Sequence, residues 1–326
     1  MTKPNWSLAL KGAAMGVAEV IPGVSGGTIA FITGIYEELI NTIKSFGPEA
    51  FNGYKDGGFS GLWKAINGSF LVNLVGGMIV GVVVGVFGVT YLLDNFPEPL
   101  WGFFFGLIVA SAFVIGKQID SWDIKKILSF VIGVVIAYGI TILSPAEGSL
   151  SPGYVFISGM LAISALLLPG ISGSFILLLM GMYTLIIPII KTFLKTFDTG
   201  SLLVIMIFAS GCLVGLLGFS RILSWLFARY KAVMLALLTG FLIGALNKVW
   251  PWRNVSQILD KESGERLDVL DYTNFGNLDP EGFKIIQEVN VLPSDYLMGD
   301  PYVIITILCT FAGLMGVLAL EKSQSK

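Results

Sequence analysis

The sequence predicts an all-α polytopic membrane protein built as an inverted repeat. Of its 326 residues, 55% are hydrophobic and 13% are charged. The mean hydropathy of +0.82 exceeds what a water-soluble protein of this size needs for its core. Runs such as 70–93 and 201–219 carry no formal charge and approach the roughly 20 apolar residues that cross the hydrocarbon core as a helix. These observations argue against a soluble enzyme.

Composition narrows the functional classes further. The chain has 20 Lys and Arg against 22 Asp and Glu, a net charge of -2, so we expect no binding of nucleic acid. It has no histidine, which removes the commonest general base and metal ligand, and we predict neither a metal nor another cofactor. Cys212 and Cys309 lie in apolar runs, where they are interpreted as small hydrophobic residues rather than as a disulfide.

An internal repeat organises the chain. A shift of 147 positions places the Pro-Gly-Val-Ser-Gly motif at 22–26 on the Pro-Gly-Ile-Ser-Gly motif at 169–173. Such self-similarity indicates a duplicated unit, and we assign 1–150 to the first repeat and 151–326 to the second. A shift of 134 extends the match through the pairs Gly77 and Gly211, Gly81 and Gly215, and Gly106 and Gly240.

Each repeat opens with an apolar segment that is too short to span a bilayer. Residues 7–21 would form about 22 Å of helix at 1.5 Å per residue before Pro22-Gly23 breaks the chain, and Pro169-Gly170 breaks the second copy. We therefore predict re-entrant helical hairpins over 7–46 and 154–193. Broken backbone at this depth is tolerated where protein or a water-filled cavity covers it.

Three full membrane spans are predicted after each hairpin. Because three is an odd number, the second repeat would be inverted relative to the first, and the two broken hairpins would meet near the midplane, as in many secondary transporters. The predicted spans are 70–93, 100–116 and 124–143 in the first repeat, and 202–219, 232–249 and 302–320 in the second.

The distribution of charge predicts the orientation. Short cytoplasmic loops are rich in Lys and Arg, and most of the predicted loops that carry these residues fall on one side together with both termini. Lys191 and Lys195 fall on the other side in this scheme. The segment 250–301 holds ten acidic and four basic residues, a net charge of -6, which suits an extracytoplasmic loop. We expect both termini to be cytoplasmic.

The two Pro-Gly turns carry the candidate binding residues. Glycine allows close approach of the backbone, hydroxyls can donate, and a helix beginning near the turn directs N–H groups and the positive end of its dipole at an anion. Two such turns could bind a phosphate without a metal. The alternative is that small residues only let the hairpins cross closely, but their presence in both repeats favours a site. The candidates are Ser25, Gly26, Gly27 and Thr28 in the first turn and Ser172, Gly173 and Ser174 in the second.

Two charged residues complete the candidate site. Glu19 is costly inside a membrane, by about 2.5 to 3.5 kcal/mol on insertion scales, and its counterpart in the second repeat is Leu166. We interpret Glu19 as a proton-coupling group, with capping of the opposite hairpin's helix start as the alternative. Arg221 ends a predicted span at the cytoplasmic face, where it is either a phosphate contact or a positive anchor.

Three features carry a resemblance to a known family: the stretch 19–28, the repeated motif at 169–174 and Trp250-Pro251-Trp252. With these features the sequence resembles the bacterial polyprenyl-phosphate transporter family, formerly a membrane domain of unknown function. The resemblance covers the whole chain. It implies a non-enzymatic transporter that returns undecaprenyl phosphate, the C55 lipid carrier of cell-wall and surface-glycan synthesis, from the outer to the inner leaflet of the bacterial cytoplasmic membrane. The implied partners are this lipid and the membrane.

The first motif is also similar to that of undecaprenyl-diphosphate phosphatases, in which a Gly-x-x-Glu stretch and Ser-rich turns meet in a similar inverted repeat. Those enzymes have an arginine in the second Pro-Gly turn and a histidine after the first. This chain has Gly173 in the one and no histidine anywhere. A phosphatase-like enzyme is therefore the alternative function, and a structural or assembly role is a third class that the sequence leaves open.

Overall fold

The predicted first hairpin consists of three helices. The computed structural model describes residues 5–21, 24–260, 265–269 and 282–324, so that Pro22 and Gly23 lie outside the described residues. The arm after the turn was expected to be one helix, but it is broken again at Gly34, which has a positive φ of 72° that glycine adopts without strain. The three helices are α1 (Trp6–Val20), α2 (Gly26–Ile32) and α3 (Tyr36–Lys44).

The polar stretch after this hairpin is also helical. Helix α4 (Pro48–Ala65) is interrupted at Gly57 and Gly58, and a Cβ added to Gly61 would overlap the carbonyl group of Gly53. The two arms of α4 therefore fold back on each other with their glycines in contact. The next three helices coincide with the predicted spans: α5 (Gly68–Asn95), α6 (Pro97–Gly116) and α7 (Ile124–Ile142).

The second hairpin reproduces the first at the 147-residue offset. Its helices are α8 (Pro152–Leu166), α9 (Gly173–Leu179) and α10 (Tyr183–Thr196). Gly181, the counterpart of Gly34, again has a positive φ, of 67°, and α9 and α10 meet at a bend of 108°. The two turn-following helices, α2 and α9, thus begin and end at equivalent positions.

The predicted loop between 219 and 232 is wrong. Helix α11 (Thr199–Ala245) runs through both predicted spans and departs from helical geometry only at Tyr230. The intervening residues contain no Gly or Pro to end a helix, and Leu223 and Phe227 are buried. At 1.5 Å per residue its 47 residues extend about 70 Å, which is enough for two spans bent at Tyr230.

A small sheet in the acidic segment departs from the all-helical expectation. The strands β1 (Arg253–Asp260), β2 (Arg266–Asp268) and β3 (Phe283–Asn290) are antiparallel in the order β2-β1-β3. Trp250 and Trp252 donate indole N–H bonds of 2.8 Å to the carbonyl oxygens of Val291 and Pro301. The two tryptophans therefore tie the chain before β1 to the chain after β3.

The chain is a multi-pass membrane protein. It ends in α12 (Val303–Gln324), whose apolar part, Val303–Ala319, is short for a span. The all-α fold class is confirmed apart from the sheet, while the inversion of the second repeat stays a prediction. Four described stretches are long and apolar enough to cross a bilayer, or five with the bent pair α9–α10: Pro48–Asn95, Pro97–Gly116, Ile124–Ile142 and Thr199–Ala245.

Helix packing follows the repeat. Helix α1 packs on α5 as α8 packs on α11, and the last helix of each repeat packs on the other repeat, α7 on α11 and α12 on α6. A Cβ added to Gly77 would overlap the carbonyl oxygen of Ala9, and one added to Gly211 would overlap that of Phe156. These contacts occupy equivalent positions in the two repeats, and the exchanged last helices join the halves.

Candidate functional site

The start of α2 is closed by side chains of its own hairpin. The N–H of Gly26 donates a 2.6 Å hydrogen bond to Glu19 Oε1, and the N–H of Gly27 donates one of 3.1 Å to Ser25 Oγ. Both acceptors satisfy backbone donors that a helix start leaves without an intrahelical partner. Glu19 therefore caps the helix that follows it in its own hairpin, not the helix start of the opposite hairpin.

The residues that follow the first Pro-Gly pair contact the second turn directly. Ser25 Oγ donates to the carbonyl oxygen of Leu166 at 3.3 Å, and the N–H of Gly170 donates to Thr28 Oγ1 at 2.9 Å. Ser25 and Thr28 are completely buried. A Cβ added to Gly27 would lie 2.7 Å from the carbonyl oxygen of Leu166. The absence of a side chain at Gly27 is thus what allows the turns to approach.

In the part of the chain that the structure describes, fewer hydrogen-bonding groups have partners within the protein at the second turn than at the first turn. Gly170 adopts a φ of 84°, in the left-handed region that favours glycine. Ser172 makes no side-chain cap to α9, and its hydroxyl lies 2.8 Å from that of Ser174. Ser172 is buried, whereas Ser174 is exposed. Since Leu166 replaces Glu19 here, no carboxylate of the described residues accepts from the N–H groups at the start of α9.

Comparison with known proteins identifies the family. The sequence model of the VCA0040-like family, described as undecaprenyl phosphate translocase-like, matches residues 15–267. The chain belongs to this family. A polyprenyl-phosphate transporter of Vibrio cholerae serotype O1 is 42% identical over 322 residues, which cover 98% of this chain and 97% of the relative. A polyprenyl-phosphate transporter of Staphylococcus aureus is 32% identical over 265 residues, which cover 77% of this chain and 88% of the relative.

Both relatives are named as transporters and not as enzymes, which agrees with the expectation of a non-enzymatic transporter from the sequence. No solved structure matches the chain. The arrangement of its turns is defined by its own contacts. These bring together Ser25, Gly27 and Thr28 with Gly170, while Ser172, Gly173 and Ser174 follow on the far side of the second turn.

Arg221 lies against the end of the first hairpin. Its guanidinium donates to the carbonyl oxygens of Leu217, at 2.7 Å, and Phe46, at 3.4 Å. Gly47 passes next to the same guanidinium, because a Cβ added there would overlap it. The bond to Leu217 is internal to α11, and the bond to Phe46 holds α11 to the chain just after α3. This placement favours the anchor interpretation over direct contact with a phosphate between the turns.

Sequence reasoning missed a tyrosine that joins the hairpins. The hydroxyl of Tyr36 donates to the carbonyl oxygen of Leu167 at 2.6 Å, and the side chain is buried. Its ring packs edge-to-face on Phe31 and Phe227. The available signal was its alignment with Tyr183 in the repeat, but alignment does not show which carbonyl group a hydroxyl meets.

A cluster of charges beside the sheet was also missed. Arg253 and Lys248 both reach Glu288 Oε2, at 2.7 and 3.4 Å, and the Arg253 guanidinium lies over the ring of Trp101. Burial lowers the pKa of the Lys248 ammonium, and the attraction of Glu288 opposes that effect. In the sequence, Lys248 lies inside the predicted span 232–249, and no local pattern relates it to Glu288.

Proposed function

We propose that this protein carries undecaprenyl phosphate across the cytoplasmic membrane of a bacterium and returns it from the outer to the inner leaflet. The support is membership of the translocase-like family and the names of two relatives that are similar over most of their length. The choice of the binding site is supported by one observation. Two glycine-rich segments that carry hydroxyl groups contact each other in the core of a polytopic helical protein.

The phosphate group binds between the two turns while the polyprenyl tail stays in lipid. A phosphate monoester carries a charge of about -1.5 to -2 at neutral pH, which is prohibitive in the bilayer core unless it is paired or hydrogen-bonded. The second turn offers Ser172, Ser174 and the N–H groups that begin at Gly173. Hydroxyl and backbone donors together replace the water that the phosphate loses.

The first turn contributes its donors only after its internal bonds open. In the present conformation the N–H groups of Gly26 and Gly27 are held by Glu19 and Ser25, and Thr28 accepts from Gly170. Each of these bonds uses a group that the phosphate needs: separation of the turns frees Thr28 from Gly170, and the bonds of Gly26 and Gly27 must open within the first hairpin. Rocking of one repeat against the other would open the site to one leaflet at a time.

Glu19 couples this opening to a proton. A carboxylate and a phosphate at one helix start repel each other. A proton taken up by Glu19 neutralises the carboxylate and removes this repulsion. Glu19 then no longer competes for the Gly26 N–H as a charged acceptor. Arg221 is retained as a more distant phosphate contact, reached only if the bonds to Leu217 and Phe46 break.

The orientation in this proposal follows the charge pattern, with both termini and the Lys- and Arg-rich loops in the cytoplasm. The ion pair of 2.6 Å between Lys231 and Glu37 supports it, because it joins two segments that the pattern places on one side. The sheet and the acidic segment 250–301 then lie outside.

Reconstitution tests the function directly. Proteoliposomes containing the purified protein and a labelled undecaprenyl phosphate should move the lipid between leaflets faster than protein-free vesicles, and undecaprenol, which lacks the phosphate, should not be accelerated. Equal rates with and without protein would refute the proposal. Equal acceleration of both lipids would indicate a general scramblase.

The phosphatase alternative receives no support from the site. Hydrolysis needs a positioned general base and a cationic clamp at the turn, and the second turn presents Gly173 and two serines instead. We expect purified protein to release no inorganic phosphate from undecaprenyl diphosphate. Release that is lost in Glu19→Gln would restore the enzyme as the better function.

A further inference from the structure

A cavity of about 380 Å³ lies between the helical bundle and the sheet. Its walls are the end of α7, the helix α9, the end of α11 and strand β3, with Thr141, Phe175, Leu179, Lys248 and Glu288 among its lining residues. Phe175 directly follows Ser174 in the chain. The cavity therefore extends from the sheet side of the molecule to the neighbourhood of the second turn.

Lys248 gives this cavity a positive charge. Its ammonium lies 3.4 Å from Glu288 Oε2 and 5.1 Å from the centroid of the Phe175 ring. The same carboxylate oxygen accepts a shorter bond, of 2.7 Å, from Arg253. Two cations thus share one carboxylate, the cluster of three carries one net positive charge, and Lys248 has donors left for another anion.

The equivalent cavity of the other repeat has the opposite character. It also measures about 380 Å³ and lies at the end of α2, between α6, α11 and α12. At the repeat offset of 134, Lys248 corresponds to Val114, which lines this second cavity together with Glu37 and Glu321. The cavity on the sheet side therefore offers an anion a lysine, whereas its counterpart has no basic residue among its lining residues and Glu37 there is already paired with Lys231.

We propose that the cavity between α7, α9, α11 and β3 is the docking site for the phosphate monoester headgroup on the sheet side of the membrane, with Lys248 as its cationic contact. This inference rests on the proposed function and adds to it a capture step before the turns open. Apolar residues at the rim, such as Ile142, Leu143 and Ile285, offer a surface for the first isoprene units. The counterpart cavity lacks a basic lining residue that would hold the headgroup.

The test uses the full-length protein in nanodiscs with undecaprenyl phosphate as the probe. Lys248→Met keeps the length of the side chain and its contact with Phe175 but removes the charge, so we expect affinity for the lipid to fall at least about tenfold, as for loss of one charge-assisted hydrogen bond. Lys248→Arg should bind within a few-fold of wild type. Lys125→Met removes a lysine from the exposed first turn of α7 and should change nothing.

A second measurement works on the wild-type protein, in case Lys248→Met does not fold. Undecaprenyl phosphate should protect Lys248, but not Lys125, from an amine-reactive label followed by mass spectrometry. Undecaprenol should give no protection, and inorganic phosphate should give much less than the lipid. Equal protection by inorganic phosphate would overturn the assignment to a lipid headgroup.

The outcomes separate the two proposals. If wild type binds undecaprenyl phosphate no better than undecaprenol, the proposed function fails. If wild type prefers the phosphate but Lys248→Met binds it equally well, or if Lys248 is labelled equally with and without the lipid, the docking site is wrong and the function stands.

Discussion

Tyr36 and Leu167 are 131 positions apart in the chain, yet the tyrosine hydroxyl donates a 2.6 Å hydrogen bond to the leucine carbonyl oxygen. The bond joins α3 of the first repeat to the chain just before the second Pro-Gly turn. It lies in the core with the contacts that Ser25 and Thr28 make to Leu166 and Gly170. When the two repeats move relative to each other, this bond must therefore either break or keep Tyr36 and Leu167 moving together.

Tyr36→Phe should destabilise the protein. The ring keeps its packing on Phe31 and Phe227, but the carbonyl group of Leu167 loses a buried partner, which costs about 1 to 3 kcal/mol. Thermal unfolding in detergent should show a lower midpoint. Tyr54→Phe is the control, since that side chain is 58% exposed. Equal midpoints for wild type and Tyr36→Phe would show that the bond contributes no stability.

Gly27→Ala should impair transport and stability together. The added methyl group would lie 2.7 Å from the carbonyl oxygen of Leu166, so the turns must move apart. Alanine favours a helix over glycine by about 1 kcal/mol, so any loss reflects the contact and not the propensity. Gly76→Ala in α5, where a Cβ meets open space, is the matched control. Gly27→Leu should abolish binding of the lipid, and wild-type transport by that variant would move the site elsewhere.

Glu19→Gln should leave binding of undecaprenyl phosphate intact and weaken the pH dependence of transport, leaving only the part due to the second ionisation of the phosphate itself. The amide oxygen can still accept from the N–H of Gly26, so the helix start remains capped, but the group no longer takes up a proton. The measurement is the lipid transfer rate in proteoliposomes across pH 5 to 9. A variant whose rate follows pH as the wild type does would show that the coupling proton binds at another residue.

The inverted topology can be tested by labelling from either side of the membrane. Gly57→Cys at the break in α4 and Gly200→Cys at the start of α11 both have room for the new side chain. Inversion predicts that the first is labelled from the cytoplasm and the second from outside. Labelling of both cysteines from one side would rule out the inverted arrangement of the two repeats. The lysine-rich loops would then still predict which side of the membrane the other loops face.

Much of this fold is local in origin and could be predicted from the sequence. Apolar runs become helices because a helix satisfies the polar groups of its backbone within one segment inside a bilayer. Glycines and prolines interrupt these runs at equivalent positions of both repeats. The starts of α2 and α9 at Gly26 and Gly173 follow the repeated motif. The candidate turn residues were therefore found without a structure, and the motif also led to the family.

The errors arose where local signals were weak or misleading. Residues 220–231 are polar enough to suggest a loop, but packing of Leu223 and Phe227 into the core keeps α11 helical. The strands β1 and β3 are rich in polar and charged residues, so no clear alternation of apolar residues marks them in the sequence.

The sequence by itself determined the membrane class, the duplicated plan and the residue types at the turns, because hydropathy, helix breaks and repeats are properties of nearby residues. Only the tertiary structure decided which groups meet: Glu19 with its own hairpin's Gly26, Ser25 with Leu166, and Lys248 with Glu288. Most of these pairs depend on how separate helices and strands pack, and packing brings together residues that no local pattern relates.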